Sequence, residues 1–317
     1  MKKIILVLLL LNYSFLSAQN VVNEEVSVKG NILLTEGIEI PKVNRGYTLW
    51  LPESENIKGL IVFTHSRRDT VNSDTIIDYA LSKQLAIMYA TTENRLEFFF
   101  NTERIQEIEN YIHGVLIEHK IPRDNLLYCG MSLEGTRALK LAIYGQNEES
   151  KYKLTPRAVA ICDSPLDMVR FHKEMIKAKE LNYNPITAKE GNWVSGYLES
   201  NLGGAPKDAL SAYINYSPYS YSAEENKNLL YLKKIAFRAY TEPDVNWWIE
   251  TRRKDFYAMN AVDLAGIVNE LKIIGNQQAE LIITHDKGYY PDGTRHPHNW
   301  EIVDEKELVD WFIKMIE

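Results

Sequence analysis

Apolar residues fall into two alternating patterns along this 317-residue chain. Short runs that are almost entirely apolar recur at 59–64, 85–90, 126–129, 158–162, 235–240 and 279–284. Longer segments between them carry apolar residues every three or four positions, as in 103–120. Strands that are apolar on both faces are typical of a parallel sheet covered on both sides. Their alternation with helices predicts an α/β fold with a mostly parallel, doubly wound sheet.

The same patterns place the remaining elements. Two strands are predicted near the N-terminus, at 26–34 and 45–51, and the second alternates apolar and polar residues. Helices are predicted at 74–83, 103–120, 136–144, 261–271 and 305–316. Since strands and helices alternate over most of the length, we expect one sheet to organise the chain.

The character of the sequence changes between residues 167 and 230. This segment is rich in Asn, Tyr, Ser, Gly and Pro and contains short helical patterns, for example at 169–179 and 207–214, without an evident strand. We therefore expect a helical lid inserted at about 167–230 into a single domain that spans residues 19–317. A set of ordinary surface connections is the alternative.

Residues 1–18 have the features of a signal peptide. Lys2 and Lys3 form a basic start, residues 4–11 are apolar, and Ala18 is a small residue at a suitable cleavage site. The apolar run is too short to span a bilayer, and no cysteine follows the site for lipid attachment. We expect export, to the periplasm or as a secreted protein, without membrane insertion after cleavage.

Composition and charge weigh against two classes of partner. Hydrophobic residues make up 45% of the chain and charged residues 25%, which is ordinary for a globular protein. The formal net charge is −7 and no long basic cluster is present, so nucleic acids and anionic membrane surfaces are not expected partners. Cys129 and Cys162 lie in apolar runs and are expected to be buried free thiols, not a disulfide or a zinc site.

The strongest candidate for chemistry follows the run at 126–129. Gly130 ends the strand, Ser132 follows two residues later, and a helical pattern occupies 136–144. A strand, a sharp turn and a helix in this order lift a serine hydroxyl above the sheet and direct N–H groups of the helix start towards the same space. Ser132 is therefore the candidate nucleophile.

A nucleophilic serine needs a base, and the base needs an acid that orients it. His296 and His298 lie between the last strand and the last helix, where loops after parallel strands assemble sites. Asp244 follows the strand at 235–240 and is expected at the same sheet edge. A metal site built from His296, His298 and Asp292 is a weaker interpretation, because no second ligand cluster accompanies it.

These motifs resemble those of the α/β-hydrolase superfamily, most closely its secreted serine esterases and the catalytic domains of prolyl-oligopeptidase-type proteins. Ser132 in a Gly-x-Ser turn, Asp244 after a strand and His298 before the final helix occur in the superfamily's order of serine, acid and histidine. The resemblance covers residues 45–316 apart from the lid, and it implies the α/β-hydrolase fold.

The resemblance also implies a role for each of these residues. Ser132 would attack an acyl carbonyl, His298 would accept its proton and return it to the leaving group, and Asp244 would hold the histidine tautomer. His296 is the second choice for the base, since both histidines can reach the serine. Asp163 is the second choice for the acid, because some members place the acid after the preceding strand.

The turn itself departs from the superfamily's pattern. The backbone N–H groups of Leu133 and Ser66 would face the developing oxyanion. The usual turn is Gly-x-Ser-x-Gly, but Glu134 stands two residues after the serine and Gly135 comes one residue late. A carboxylate near Ser132 favours a protonated base and repels an anionic intermediate, so Glu134 bears on efficiency or substrate class.

Three further side chains are candidates for substrate contact together with Glu134. His65 ends the strand at 59–64, where the superfamily often has His-Gly, and Arg67 follows it in a position to meet a substrate carboxylate. A solvated arginine is the alternative. Trp247 is expected to line an aromatic pocket or stack on a sugar, unless it packs in a small core as such residues usually do.

The sequence thus predicts a secreted serine hydrolase that cleaves an ester or peptide-like acyl bond through an acyl-enzyme. Its substrate is expected to be a small molecule or a peptide or glycan ester, and neither a cofactor nor a metal is expected. The alternative is a catalytically weak or inactive binding protein on the same scaffold, because a fold alone does not guarantee activity.

Overall fold

A computed structural model describes residues 20–65 and 75–317. Its strands are β1 Asn20–Asn23, β2 Asn31–Thr35, β3 Ile38–Pro41, β4 Gly46–Leu51, β5 Gly59–Phe63, β6 Leu85–Thr91, β7 Leu126–Met131, β8 Ala158–Cys162, β9 Ala236–Thr241 and β10 Ala279–Ile283. Eight of them form one sheet in the order β1-β4-β6-β5-β7-β8-β9-β10. The predicted mostly parallel sheet is confirmed, because the six strands from β6 to β10 in this order run parallel to one another and β1 and β4 are antiparallel to their neighbours.

Helices cover both faces of this sheet. They are α1 Thr75–Ser82, α2 Thr102–Glu118, α3 Leu133–Tyr144, α4 Met168–Leu181, α5 Pro185–Leu202, α6 Pro206–Tyr216, α7 Leu229–Leu232, α8 Val245–Arg252, α9 Ala261–Ile273 and α10 Glu305–Ile316. Helices α2, α3 and α9 pack in the core on one face, and α1 and α10 pack in the core on the other. Every residue of β5, β6, β8 and β9 is consequently buried, which explains their largely apolar sequences.

The segment predicted as a lid contains helices α4 to α7, and no strand occurs between β8 and β9. Its side chains form a third hydrophobic cluster, separate from the two cores of the sheet, which includes Met168, Val194 and Tyr213. The β2–β3 hairpin contributes Leu34 and Ile40 to the same cluster. The hairpin therefore packs on these helices and stays outside the main sheet.

Several elements differ from the sequence predictions. The strand expected at 26–34 is wrong: Val26 makes an isolated bridge to Arg45, and the continuous strand begins at Asn31 in the hairpin. The helices α5 and α8 were not anticipated. Both carry start signals, since Asn184 caps α5 ahead of a proline and Asp244 caps α8.

Among the described residues, the helices are all too short or too polar to cross a membrane. The predicted signal peptide at 1–18 lies outside the described residues.

Candidate active site

The turn between β7 and α3 holds Ser132 in a strained conformation. β7 is buried up to Gly130, and α3 begins at Leu133, directly after the serine. Ser132 has φ 54° and ψ −127°, which is costly for a residue with a Cβ and is typical of turns at functional sites. Its backbone N–H donates to the Cys162 carbonyl at 2.8 Å, so the turn is fastened to the end of β8. Its hydroxyl is not used to cap α3.

Two glycines permit this turn. A Cβ on Gly130 would lie 2.3 Å from the Glu134 carbonyl carbon, and a Cβ on Gly135 would lie 2.0 Å from Ser164 Oγ. Both approaches exclude a side chain. Gly135 therefore provides the close contact between α3 and the end of β8, and Glu134 occupies a position where a side chain fits.

Asp163 directly follows β8, the strand that pairs with β7, just as Ser132 directly follows β7. Met131 and Cys162 are the last residues paired between β7 and β8, so Ser132 and Asp163 each come one residue beyond the last pair. Asp163 is buried and also has a positive φ, 43°. Its backbone N–H donates to the Tyr240 carbonyl at 2.8 Å. This edge of the sheet thus presents a hydroxyl and a carboxylate side by side.

The Asp163 carboxylate orients His298. Its Oδ2 contacts His298 Nδ1 at 2.5 Å, and its Oδ1 accepts a hydrogen bond from the Thr241 hydroxyl at 3.1 Å. A carboxylate assigns the proton to Nδ1, so Nε2 carries the lone pair that can accept a proton. The Cys162 thiol donates to the Asn299 carbonyl at 3.4 Å, which fastens the chain beside His298 to β8.

Asp244, the acid assigned from the sequence, is bound by other groups in the structure. Asp244 is the N-cap of α8: its Oδ1 accepts from the Trp247 N–H at 3.0 Å, and its Oδ2 accepts from Arg295 at 2.8 Å. Burial acts to raise the pKa of Asp244, but these two hydrogen bonds hold the pKa below its usual value. Because both oxygens bind other groups, Asp163 replaces Asp244 as the partner of His298.

Glu242 organises the start of the loop that carries the histidines. It follows β9 directly, is buried, and accepts hydrogen bonds from the Thr284 hydroxyl at 2.8 Å and from the N–H groups of Lys287 and Gly288 at 3.0 and 3.2 Å. Burial alone would raise the pKa of Glu242, but these donors and Arg295 lower it. Glu242 is therefore held as a carboxylate.

Arg295 joins the same carboxylate to the histidine end of the loop. It lies 2.5 Å from Glu242 and 2.8 Å from Asp244, and it donates to the Gly288 carbonyl at 2.8 Å. Arg295 stands three residues before His298. These contacts close the loop against the end of β9 and set where His298 can lie.

His296, the second choice for the base, makes different contacts. Its Nδ1 lies 2.8 Å from the His298 carbonyl, which requires it to donate. Its ring lies against Trp247 and Tyr290, with centroid distances of 5.0 and 5.4 Å. Burial, and then the proximity of His298, lower the pKa of His296. Of the two histidines, His298 is the one held by a buried carboxylate.

Glu134 belongs to a chain of ionisable groups behind the turn. Its carboxylate lies 3.7 Å from His65 Nε2 and 3.8 Å from Arg137. Arg137 is buried, and burial lowers the pKa of its guanidinium although Glu134 and Glu97 act to raise it. Burial raises the pKa of Glu97. The Glu134 carboxylate beside Ser132 therefore lies close to the Arg137 guanidinium and the His65 ring.

Of the two expected oxyanion donors, Leu133 is among the described residues and Ser66 is not. Leu133 is the first residue of α3, and the N–H group at a helix start has no acceptor within the helix. Ser66 and Arg67 lie outside the described residues. His65 is described, and its ring packs edge-on against Phe63 and Tyr89, with centroid distances of 5.7 and 5.2 Å.

Two tryptophans of α8 lie beside the histidines. Trp247 contacts His296, and the Trp248 ring centroid is 6.2 Å from that of His298. The two indoles are 5.0 Å apart. By contrast, Tyr213 of the lid packs in the third hydrophobic cluster.

Within the described ranges, no group of three His, Cys, Asp or Glu side chains is arranged to hold a metal ion. Asp292 is exposed and accepts a hydrogen bond from the Thr294 N–H in its own turn. Cys129 and Cys162 are buried free thiols, as predicted.

Sequence reasoning missed Glu242 and Arg295. Glu242 follows a buried strand by one residue, the same position that Asp163 has after β8, and this spacing was an available signal. Arg295 had no comparable signal, because its carboxylate partners Glu242 and Asp244 lie more than fifty residues earlier in the chain.

Comparison with known proteins gives matches in structure only. No protein-family model matches this chain, and no curated protein matches its sequence. A structure described as one of two fungal esterases from Rhizomucor miehei superposes with a TM-score of 0.56 at 12% identity, over 94% of this chain and 84% of that one. Carboxyl esterase 2 from Tuber melanosporum gives 0.54 at 13% identity, over 95% and 88%. An acylaminoacyl peptidase gives 0.51 at 16% identity, over 91% and 41%.

Identities this low bear on the fold alone. The strand order, the turn at Ser132 and the position of His298 before the last helix agree with these likenesses. The chain therefore has the α/β-hydrolase fold, and its structural neighbours are esterases and a peptidase of that fold.

Proposed function

We propose that this protein is a serine hydrolase that cleaves an ester or peptide-like acyl bond through an acyl-enzyme. The observation that carries the proposal is the contact of His298 with buried Asp163, next to Ser132 on its strained turn. A serine, a histidine and an orienting acid are the parts that acyl transfer needs. The names of the structural neighbours support the same class of reaction.

In the proposed reaction, Ser132 Oγ attacks the acyl carbonyl while His298 Nε2 accepts the hydroxyl proton. Asp163 holds the imidazole in the required tautomer and stabilises the imidazolium that forms. Nε2 then gives its proton to the leaving alcohol or amine, and the acyl group stays on Ser132. A water molecule, deprotonated by the same nitrogen, hydrolyses this ester and restores the serine.

The tetrahedral intermediates need donors for their oxyanion. The Leu133 N–H at the start of α3 is proposed as one donor, and the Ser66 N–H as the second, each contributing about 3 kcal/mol in comparable sites. Glu134 lies near this position, and its charge disfavours an anionic acyl group. The contacts of the Glu134 carboxylate with His65 and Arg137 stabilise its negative charge. They support the proposal that substrates with a neutral acyl group are accepted.

We also propose that the protein is exported, because residues 1–18 have the features of a signal peptide.

We propose further that the helices between β8 and β9 cover the substrate. The turn between α4 and α5 contacts α8, because the Tyr183 hydroxyl donates to the Glu250 carbonyl at 2.9 Å and Asn184 donates to the Thr251 carbonyl at 3.3 Å. The lid is thereby tied to the helix that carries the two tryptophans beside the histidines.

Replacing the nucleophile tests the proposal. In the Ser132→Ala variant, hydrolysis of 4-nitrophenyl acetate and labelling by a fluorophosphonate should both disappear, because each needs Oγ. Ser222, an exposed serine, provides the control: Ser222→Ala should be labelled like the wild type. Labelling that survives in Ser132→Ala would overturn the assignment of the nucleophile.

A non-catalytic binding protein is the second candidate, and Glu134 is the observation that favours it. A carboxylate next to the nucleophile opposes formation of an oxyanion. In that case the wild type would not be labelled by the fluorophosphonate at all, whereas a ligand of the same cleft would still raise the melting temperature.

A further inference from the structure

Four aromatic rings form a continuous row that begins beside His298. The Trp248 centroid lies 6.2 Å from the His298 ring, and Trp247 lies 5.0 Å from Trp248. The row continues to His296, 5.0 Å from Trp247, and to Tyr290, 5.4 Å from His296. The spacing is that of rings in contact. The two indoles meet edge-to-face at 89° and Trp247 meets His296 at 69°, so the row is a stepped aromatic surface.

The two indoles of this row do not fill a core. They belong to α8, an eight-residue helix in which no residue is buried. Tyr290 is 42% exposed. Partly exposed tryptophan and tyrosine rings that adjoin one another are typical of surfaces that bind a ligand. α8 itself is held firmly, by the Asp244 cap and the ion pair of Asp244 with Arg295.

The position of the row indicates which part of a substrate it would meet. In the proposed reaction His298 returns a proton to the leaving group, so the leaving oxygen or nitrogen must come within hydrogen-bond reach of His298 Nε2. A surface that starts at the His298 ring therefore adjoins the leaving group. The carbonyl oxygen would point to the Leu133 N–H, and the acyl group is the remaining substituent of the same carbon.

The chemistry around the row narrows the class of leaving group. The rings carry polar groups as well as apolar surface, namely the indole N–H groups of Trp247 and Trp248, the Tyr290 hydroxyl and the second ring nitrogen of His296. A sugar ring has the complementary surface, because its C–H groups form apolar faces and its hydroxyl groups form a polar rim. An alkyl chain would contact the apolar surface alone and form no hydrogen bond to these groups.

We propose that this aromatic row binds the carbohydrate part of a sugar ester, whose sugar hydroxyl is the leaving group of the reaction. The inference rests on the proposed serine hydrolase function. It assigns Trp247 the central contact, because that ring touches both Trp248 and His296.

Three acetate esters test the proposal, since they share the acyl group and differ in the leaving group. They are O-acetylated xylotriose, decyl acetate and ethyl acetate, and the last is too small to reach Trp247. In Trp247→Ala, the ratio of kcat/KM for the sugar ester to that for ethyl acetate should fall about tenfold, through KM. Trp247→Tyr should restore most of it. Phe256→Ala, which removes an exposed ring outside the row, should leave the ratio within about twofold.

The possible outcomes distinguish a failure of this inference from a failure of the proposed serine hydrolase function. An unchanged sugar-ester ratio in Trp247→Ala overturns the inference, and so does an equal loss for decyl acetate, which would show a general apolar surface. If the wild type hydrolyses none of the three esters and no 4-nitrophenyl acetate, the proposed function fails and the inference with it. In Ser132→Ala, xylotriose should quench tryptophan fluorescence, and the absence of any change would also overturn the inference.

Discussion

β8 and β9 end side by side at one edge of the sheet, yet the carboxylates that follow them have different partners. Asp163, after β8, contacts His298 and the Thr241 hydroxyl. Glu242 and Asp244, after β9, both contact Arg295. The first carboxylate faces a ring that can gain and lose a proton, and the other two face a guanidinium whose charge is permanent.

The comparison shows that a place at the sheet edge does not decide what a carboxylate does. Asp163 and Glu242 each follow their strand by one residue. Glu242 nevertheless serves to close a loop, because Arg295 and two backbone N–H groups occupy its oxygens. The β9 carboxylates thereby position the loop, and Asp163 receives the histidine that the loop delivers.

The largest expected effect separates the two acids by activity. Asp163→Asn should lower kcat for 4-nitrophenyl acetate by about a thousandfold or more, because an amide that donates to Nδ1 selects the wrong histidine tautomer. Asp244→Asn should lower it by less than about tenfold, because that side chain does not orient His298. Steady-state kinetics of both variants measure this. The reverse order of effects would return the role of the acid to Asp244.

The next effect is on stability and concerns Arg295. Arg295→Met leaves the buried Glu242 without its cation, which should reduce the free energy of unfolding by about 3 kcal/mol, as measured by urea denaturation. Arg253→Met removes an exposed arginine just after α8 and should cost less than about 0.5 kcal/mol. Equal stabilities of the two variants would contradict the view that Arg295 closes the loop.

The smallest effect concerns pH. The folded pKa of Glu242 is lowered, so its contribution to stability is present above the ordinary glutamate value of 4.5 and is lost as the pH falls through the lowered folded value. Glu242→Gln removes this titration. Below pH 4.5, the free energy of unfolding should then fall less steeply with decreasing pH, and the change in slope should correspond to at most about one bound proton. Glu250→Gln, on the exposed face of α8, is the control. An unchanged slope in Glu242→Gln would show that Glu242 titrates alike in both states.

Much of the fold follows from the sequence alone, because it depends on the local pattern of apolar and polar residues. The wholly apolar runs became the buried strands, and the alternation with helices determined the parallel sheet. Gly130 and Ser132 placed the strained turn, because only a glycine permits the close approach there and a serine hydroxyl follows at its tip. The same order of elements placed Asp163, Asp244 and His298 at one sheet edge.

Only the tertiary structure decided which of these side chains meet. The sequence favoured Asp244 as the acid, but the path of residues 285–299 brings Arg295 onto Asp244 and His298 onto Asp163. Likewise, the β2–β3 hairpin packs on the lid helices, which its own residues could not indicate. Both outcomes depend on contacts between residues far apart in the chain. A carboxylate carries the same local signal whether its partner is an arginine or a histidine.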